Sequence, residues 1–179
     1  YLVLDNSGSM QGFINSLAAN FGRMVDRVSG AVPDATYGVA SFINYSHGGS
    51  GQLPFRLLQQ ATSDVERVQN ALNRIEARGG GVHEASLEAL YQTLTGIGYD
   101  ENCNGRYDEG ADVRPFIAHH MDAFLGTAQG TETEETPGAG KVGGVGFRSG
   151  AFKIVVYGTD EELLDPDRGD PTPGGCPQD

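Results

Sequence analysis

Tyr1-Leu2-Val3-Leu4-Asp5-Asn6-Ser7-Gly8-Ser9-Met10 is the stretch that decides the fold class of this 179-residue chain. Four apolar residues run together without alternation and end abruptly in polar ones. Such a run predicts a short strand buried on both faces, as in a parallel sheet. The period then changes. Met10, Phe13, Ile14, Leu17, Phe21, Met24, Val25 and Val28 recur at spacings of three and four, which predicts a helix with Gly30 as its stop.

The same alternation continues downstream. Thr36 to Ile43 is rich in β-formers and predicts a second strand, followed by a loop around His47 and a short edge strand over Leu53 to Leu58. Ser63 and Glu66 have capping-box spacing ahead of a helix with Val65, Val68, Leu72 and Ile75 on one face. Arg78-Gly79-Gly80-Gly81 ends it. Another helix is predicted from near Glu84, with Leu87, Leu90, Tyr91 and Leu94 inward and Gly96 as its stop. From 97 to 149 the periodicity fades, which reads as an insertion. It holds one weak helix near Pro115 to Leu125, with His119-His120 on its polar face, and a Gly/Thr/Glu-rich loop from Thr127 to Gly146. Phe152 to Tyr157 is the most β-like run of all. Strands alternating with helices predict one α/β domain over 1–179, a doubly wound, mostly parallel sheet flanked by helices. Sites in such sheets lie outside the carboxyl ends of the strands. Asp5 and Asp160 both fall at such ends.

Charge narrows the function classes. The 24 acidic and 12 basic residues give a net charge of −12. Residues 1–99 carry a net −2 and residues 100–179 a net −10, so the second half holds nearly all the excess. A chain this acidic, with no basic patch, is a poor partner for nucleic acid or anionic lipid. No apolar run approaches the ~20 residues needed to cross a bilayer. Two Cys are too few for a disulfide framework or a zinc cluster. Cys103 and Cys176 are able to pair, but spacing alone does not give their distance.

Asp5, Ser7 and Ser9 place three oxygen side chains at alternate positions between a strand and a helix, with Gly8 to permit a tight bend. A hard cation such as Mg²⁺ takes about six oxygens near 2.1 Å. Alone, the pattern equally suits a capped helix whose N-terminus favours Asp5.

It is joined by two further motifs in the same chain order, Gly79-Gly80-Gly81-Val82-His83-Glu84-Ala85-Ser86 and Phe152 to Glu161. Together they resemble the von Willebrand factor A (vWA) domain family, whose metal-ion-dependent adhesion site opens with D-x-S-x-S after the first strand. The middle motif is similar to the integrin beta-subunit variant, in which a Glu opens a helix and reaches the metal. The resemblance spans residues 1–96 and about 146–162, roughly two-thirds of the chain. It implies Asp5, Ser7, Ser9, Glu84 and Asp160 as ligands of Mg²⁺ or Mn²⁺. Where the integrin variant has acidic residues for an adjacent metal, this chain has Gln11 and Gly12, and glycines replace the Asn and Asp of a third site. Neither extra site is expected.

Glu84 alters the expected chemistry. Three carboxylates around a divalent ion raise metal affinity and weaken the ion's attraction for an external carboxylate. The resemblance implies a non-enzymatic protein-binding module, whose partner presents an acidic residue and which does not itself insert into a membrane. It implies a secreted or bacterial cell-surface setting and a chain that is part of a longer polypeptide, short of the family's last strand and helix.

A second oxygen-rich run lies in the insertion. Asp100-Glu101-Asn102-Cys103-Asn104-Gly105-Arg106-Tyr107-Asp108 follows the first nine positions of an EF-hand loop, which uses oxygens at 1, 3, 5, 7 (backbone) and 9, with Gly at 6. The closing acid arrives one place late, at Asp112. The run resembles calcium loops of EF-hand or dockerin type, with Asp100, Asn102, Asn104, the Arg106 carbonyl, Asp108 and Asp112 as ligands of Ca²⁺. A solvated acidic turn at Asn104-Gly105 is the competing reading.

Several signals are weaker. Arg168-Gly169-Asp170 spells an integrin-ligand tripeptide, best explained by chance in an Asp/Gly-rich loop. His83 is expected to face solvent, with orientation of Glu84 as the alternative. Asp165, Asp167 and Asp170 either add to a cation site or are solvated. Two other functions compete: a structural calcium-bound domain with a degenerate first site, and a Mg²⁺-dependent phosphotransferase with Asp5 as nucleophile. The latter chemistry in haloacid-dehalogenase-like folds wants a second Asp where this chain has Ser7.

Overall fold

Every residue of strand β1 (Leu2–Asp5) is buried, as its unbroken apolar run predicts. The computed structural model describes residues 1–46, 51–81, 83–116, 138, 140–170 and 174–176. Around β1 stand α1 (Gln11–Ser29), β2 (Tyr37–Phe42), β3 (Arg56–Thr62), α2 (Val65–Leu72), β4 (His83–Glu84), α3 (Ser86–Thr95), β5 (Val156–Gly158) and β6 (Glu162–Leu163). The main sheet has the order β3-β2-β1-β5. β1 runs parallel to β2 and β5, while β3 is antiparallel to β2. The class is therefore α/β with a mixed sheet. A separate pair joins β4 and β6 in parallel.

Successive residues of the central strands enter different cores. Leu2, Leu4 and Val39 pack with Ile14 and Phe21 of α1 and Val68 and Leu72 of α2. Val3, Ala40 and Phe42 pack with Ala85, Ala89, Val113, Phe116 and Val145 on the opposite face. This arrangement is what makes alternation disappear from the sequence: both faces need apolar side chains.

The end of α1 and the start of α2 differ from their predicted chemistry. Gly30 follows α1 but keeps a right-handed φ of −64°. The helix instead unwinds through Ala31 and Val32, whose N–H groups both donate to the Val28 carbonyl. At α2 the cap is Asp64, which accepts from the Arg67 N–H at 3.3 Å, in place of the Ser63/Glu66 box. Asp64→Ala should cost about 1 kcal/mol in urea unfolding, the usual value of an N-cap.

α3 is turned over relative to its predicted orientation. Leu87, Tyr91 and Leu94 are exposed, and Ser86, Ala89, Gln92 and Thr93 are buried. Gln92 explains the choice of face. Its amide donates to the Gly98 carbonyl at 2.8 Å and accepts from the Gly98 N–H at 2.9 Å. It thereby closes both backbone groups of the residue that leads into the insertion. Thr93 satisfies its hydroxyl on the Ala89 carbonyl.

Two strands have shifted bounds. β3 starts later and runs further than Leu53 to Leu58, because Gln59, Gln60 and Thr62 are polar yet buried. The Gln60 amide, for example, donates to the Gly144 carbonyl. β5 is shorter than its sequence suggests. The Leu2↔Val156 register gives its upstream residues no partner beyond Tyr1, and Phe152 is 91% exposed. The Cys103–Cys176 disulfide is formed. Of the weak helix over Pro115 to Leu125, residues 117–125 lie outside the described residues, and Pro115 and Phe116 are not helical. His47, His119, His120 and most of the Thr127 to Gly146 loop also lie outside them.

Candidate functional site

β1 and β5 are neighbours, so their carboxyl ends bring Asp5 and Asp160 together from opposite ends of the sequence. Asp5 is fully buried. Its Oδ1 accepts from the Ser7 N–H at 2.7 Å, and its Oδ2 accepts from the Thr159 hydroxyl at 2.8 Å. Ser7 and Ser9 lie with their hydroxyl oxygens 3.2 Å apart. Ser9 in turn donates to Asp160 Oδ1 at 3.1 Å. Ser7 is buried, whereas Ser9 and Asp160 are exposed, so the cluster opens to solvent on one side.

The glycine run forms the opposite wall. Arg78 donates its N–H to the Asn6 carbonyl at 2.8 Å, and Gly8 donates to the Gly79 carbonyl at 3.1 Å. These bonds lay residues 78–81 along the Asp5–Ser9 loop. A Cβ on Gly80 would stand 2.8 Å from Ser7 Cβ and 3.1 Å from Glu84 Oε1, and its φ of +106° already disfavours any side chain. Only glycine lets these two walls approach.

Glu84 closes the cluster from within. It lies in β4, not at the start of a helix: α3 begins two residues later. Pairing of β4 with β6 and the Leu164 N–H to the Glu84 carbonyl hold its backbone, and Ala85 donates to the Ile43 carbonyl. The side chain is fully buried. Oε1 accepts from the Gly81 N–H at 2.8 Å, while Oε2 is buried with no hydrogen-bond partner. Burial is the main force pushing its carboxyl up to about 7; the Gly81 N–H opposes this, and the charges of Asp5, Glu161 and Asp160 add to it.

Thr159 and Tyr157 belong to the site but are not marked by the motifs. Thr159 shares the strand end with Asp160, so a search for oxygen side chains at both strand ends would include it. The Tyr157 hydroxyl bonds Ser86 Oγ, and its ring stacks on Phe42 with centroids 5.1 Å apart. Burial pushes its phenol up to about 12, which keeps it a neutral donor.

His83 does not face solvent freely. Its Nδ1 lies 2.7 Å from Asp170 Oδ1, and its side chain is only 26% exposed. Asp170 Oδ2 accepts from the Asp165 N–H at 2.8 Å, and Arg168 donates to Glu162 at 3.0 Å. The Asp165 N–H, aided by His83, holds the Asp170 carboxyl below its ordinary value. The Arg168-Gly169-Asp170 tripeptide is thus engaged in contacts within its own fold. Asp165 caps the short turn Pro166–Arg168, accepting from the Asp167 N–H.

The residues of the inserted run also meet. Asn102 and Asn104 both donate their amides to Asp108 Oδ2, at 3.0 and 2.8 Å. Asp112 accepts from the Glu101 and Asp108 N–H groups, and Asp100 Oδ2 accepts from the Gly105 N–H. Arg106 donates its N–H to Asn104 Oδ1.

Among the described residues, no group of three or more His, Cys, Asp or Glu side chains is arranged to hold a metal ion. This holds for the first cluster, whose carboxylates Asp5, Glu84 and Asp160 are among those residues and which adds the hydroxyls of Ser7 and Ser9. Its donor set is all oxygen, and Glu84 Oε2 is a buried acceptor with no partner, so the residues fit a small hard cation. Comparison with protein-family models, curated proteins and solved structures gives no significant match. Among the described residues, no helix is long and apolar enough to cross a membrane.

Proposed function

We propose that Asp5, Ser7, Ser9, Glu84 and Asp160 hold Mg²⁺ or Mn²⁺, and that the chain is a vWA-like, doubly wound adhesion module rather than an enzyme. The observation that carries this is Glu84: a fully buried carboxylate with one oxygen unpaired, close enough to Asp5 and Asp160 to feel their charges. Such a group is costly unless a cation compensates it. When bound, the cation would supply positive charge at an exposed edge, where the site's own three carboxylates leave a weakened attraction for the carboxylate of a protein partner. The chain's own residues orient the donors: Thr159 and the Ser7 N–H fix both Asp5 oxygens, and Gly80 brings Ser7 toward Glu84. The disulfide suits a secreted or cell-surface setting.

Mn²⁺ titration followed by electron paramagnetic resonance tests the site. Asp5→Ala and the milder Ser9→Ala should each weaken one class of Mn²⁺ sites at least tenfold. A Glu-containing peptide added to the Mn²⁺-loaded protein should then lower the water-proton relaxation of the bound ion by displacing a water. Mn²⁺ binding untouched by both substitutions would remove the metal from the reading. Unchanged relaxation would remove the carboxylate partner.

A further inference from the structure

The Asp100–Asp112 loop contributes none of the residues of the first cluster and takes no part in the function proposed for it. Asp100 is 2% exposed, and its Oδ1 is buried without a hydrogen-bond partner, while Oδ2 is held by the Gly105 N–H. Around it, the two Asn amides converge on one oxygen of Asp108, and two backbone N–H groups converge on Asp112. The three carboxylates of the loop, Asp100, Asp108 and Asp112, are thus each met by neutral N–H groups and do not by themselves form a metal-holding group. A cation offsets carboxylates better than N–H groups do, and its arrival leaves both Asn amides able to turn their oxygens inward.

The covalent frame sits on the same residues. Cys103 lies between Asn102 and Asn104 with a φ of +58°, the one non-glycine residue with positive φ among those described. Its disulfide partner Cys176 pairs with Asp100 through both backbone groups, Asp100 N–H to the Cys176 carbonyl at 2.7 Å and the reverse at 2.8 Å. One short segment thus restrains the loop at Asp100 by hydrogen bonds and at Cys103 by a covalent bond.

We infer that this loop is a Ca²⁺ site whose affinity depends on the Cys103–Cys176 disulfide, each stabilising the other. Ca²⁺ is favoured over Mg²⁺ because it accepts many protein oxygens in irregular geometry, and a loop of carboxylates, amides and the Arg106 carbonyl offers that kind of set. Cutting the disulfide frees Cys103 and the two Asn residues beside it, so the ion must then order them itself. Linkage makes the effect reciprocal: calcium that favours the closed loop must also protect the bond.

Calorimetric titration of the oxidised protein with CaCl₂ should show a site that persists in Asp5→Ala and is lost in Asp100→Asn. In the Cys103→Ser/Cys176→Ser double variant, Ca²⁺ affinity should fall at least tenfold. Saturating Ca²⁺ should slow reduction of the native disulfide by dithiothreitol at least tenfold, with equimolar Mg²⁺ having little effect. This arm uses the intact protein and decides the matter even if the double variant folds poorly. A Ca²⁺ site unaffected by Asp100→Asn overturns the location. A reduction rate indifferent to Ca²⁺ overturns the coupling. Neither result bears on the first cluster, which Asp5→Ala reports separately.

Discussion

In the absence of divalent cations, the protein should lose about 3 kcal/mol of stability between pH 4.5 and pH 8, and Glu84→Gln should remove most of that slope. The carboxyl of Glu84 stands at about 7 in the fold against 4.5 when unperturbed. At about 1.36 kcal/mol per pKa unit, such a shift corresponds to about 3 kcal/mol. Its sign is set by which state holds the proton more tightly. The folded state does, so the contribution is fully present below 4.5 and is lost as pH rises through about 7. Above that, folding must bury an ionised carboxylate beside Asp5, with Oε2 unpaired. Urea unfolding in EDTA at pH 5 and pH 8 measures the difference. Glu66→Gln, an exposed position, controls for the net charge. At pH 8, Mg²⁺ should restore stability to the wild type and much less to Glu84→Gln, because metal binding needs the ionised form. A Glu84→Gln protein with the same pH slope as the wild type would show that the strain lies elsewhere.

What made parts of this fold readable is the kind of force involved. The β1 run, the length of α1 and the positions of Asp5, Ser7 and Ser9 follow from hydrophobic period and chain order, both local properties. Asp160 was readable because sites in α/β sheets collect at strand ends, and β5 does lie beside β1. The facing of α3 was not readable, because its buried side is small and polar. Ala89 and Thr93 let the helix approach, and Gln92 closes the backbone of Gly98. A residue satisfied by backbone outside its own helix carries no periodic mark. The same holds for β3, where Gln60 is fully buried through the Gly144 carbonyl. Glu84 was placed in the site by its motif, but its strand β4 exists only because β6 pairs with it from nearly 80 residues away. Thr159 was missed for want of an acidic label, although it holds one of the two Asp5 oxygens.

Gly96→Ala should destabilise the chain by about 2–5 kcal/mol, far more than its role as a helix stop requires. Gly96 does end α3 in a left-handed conformation, φ +66°, as its sequence position predicts. A left-handed alanine costs about 1–2 kcal/mol. The rest comes from packing. A Cβ at Gly96 would lie 2.2 Å from the Phe116 carbonyl oxygen and 2.8 Å from Gly144 Cα, both backbone atoms that cannot rotate away. These two residues lie within the insertion, Phe116 on its outgoing and Gly144 on its returning chain: Phe116 N–H donates to the Gly96 carbonyl, and Gly144 N–H donates to the Leu94 carbonyl. The helix terminus is therefore the point where outgoing and returning chain cross. Gly150→Ala separates the two costs, since Gly150 has a similar φ of +77° but open space around its Cβ position. Chemical denaturation of the two variants should place Gly150→Ala within about 1–2 kcal/mol of the wild type and Gly96→Ala well beyond it. Equal losses would mean that the crossing yields readily, and that the insertion is not pinned to the end of α3.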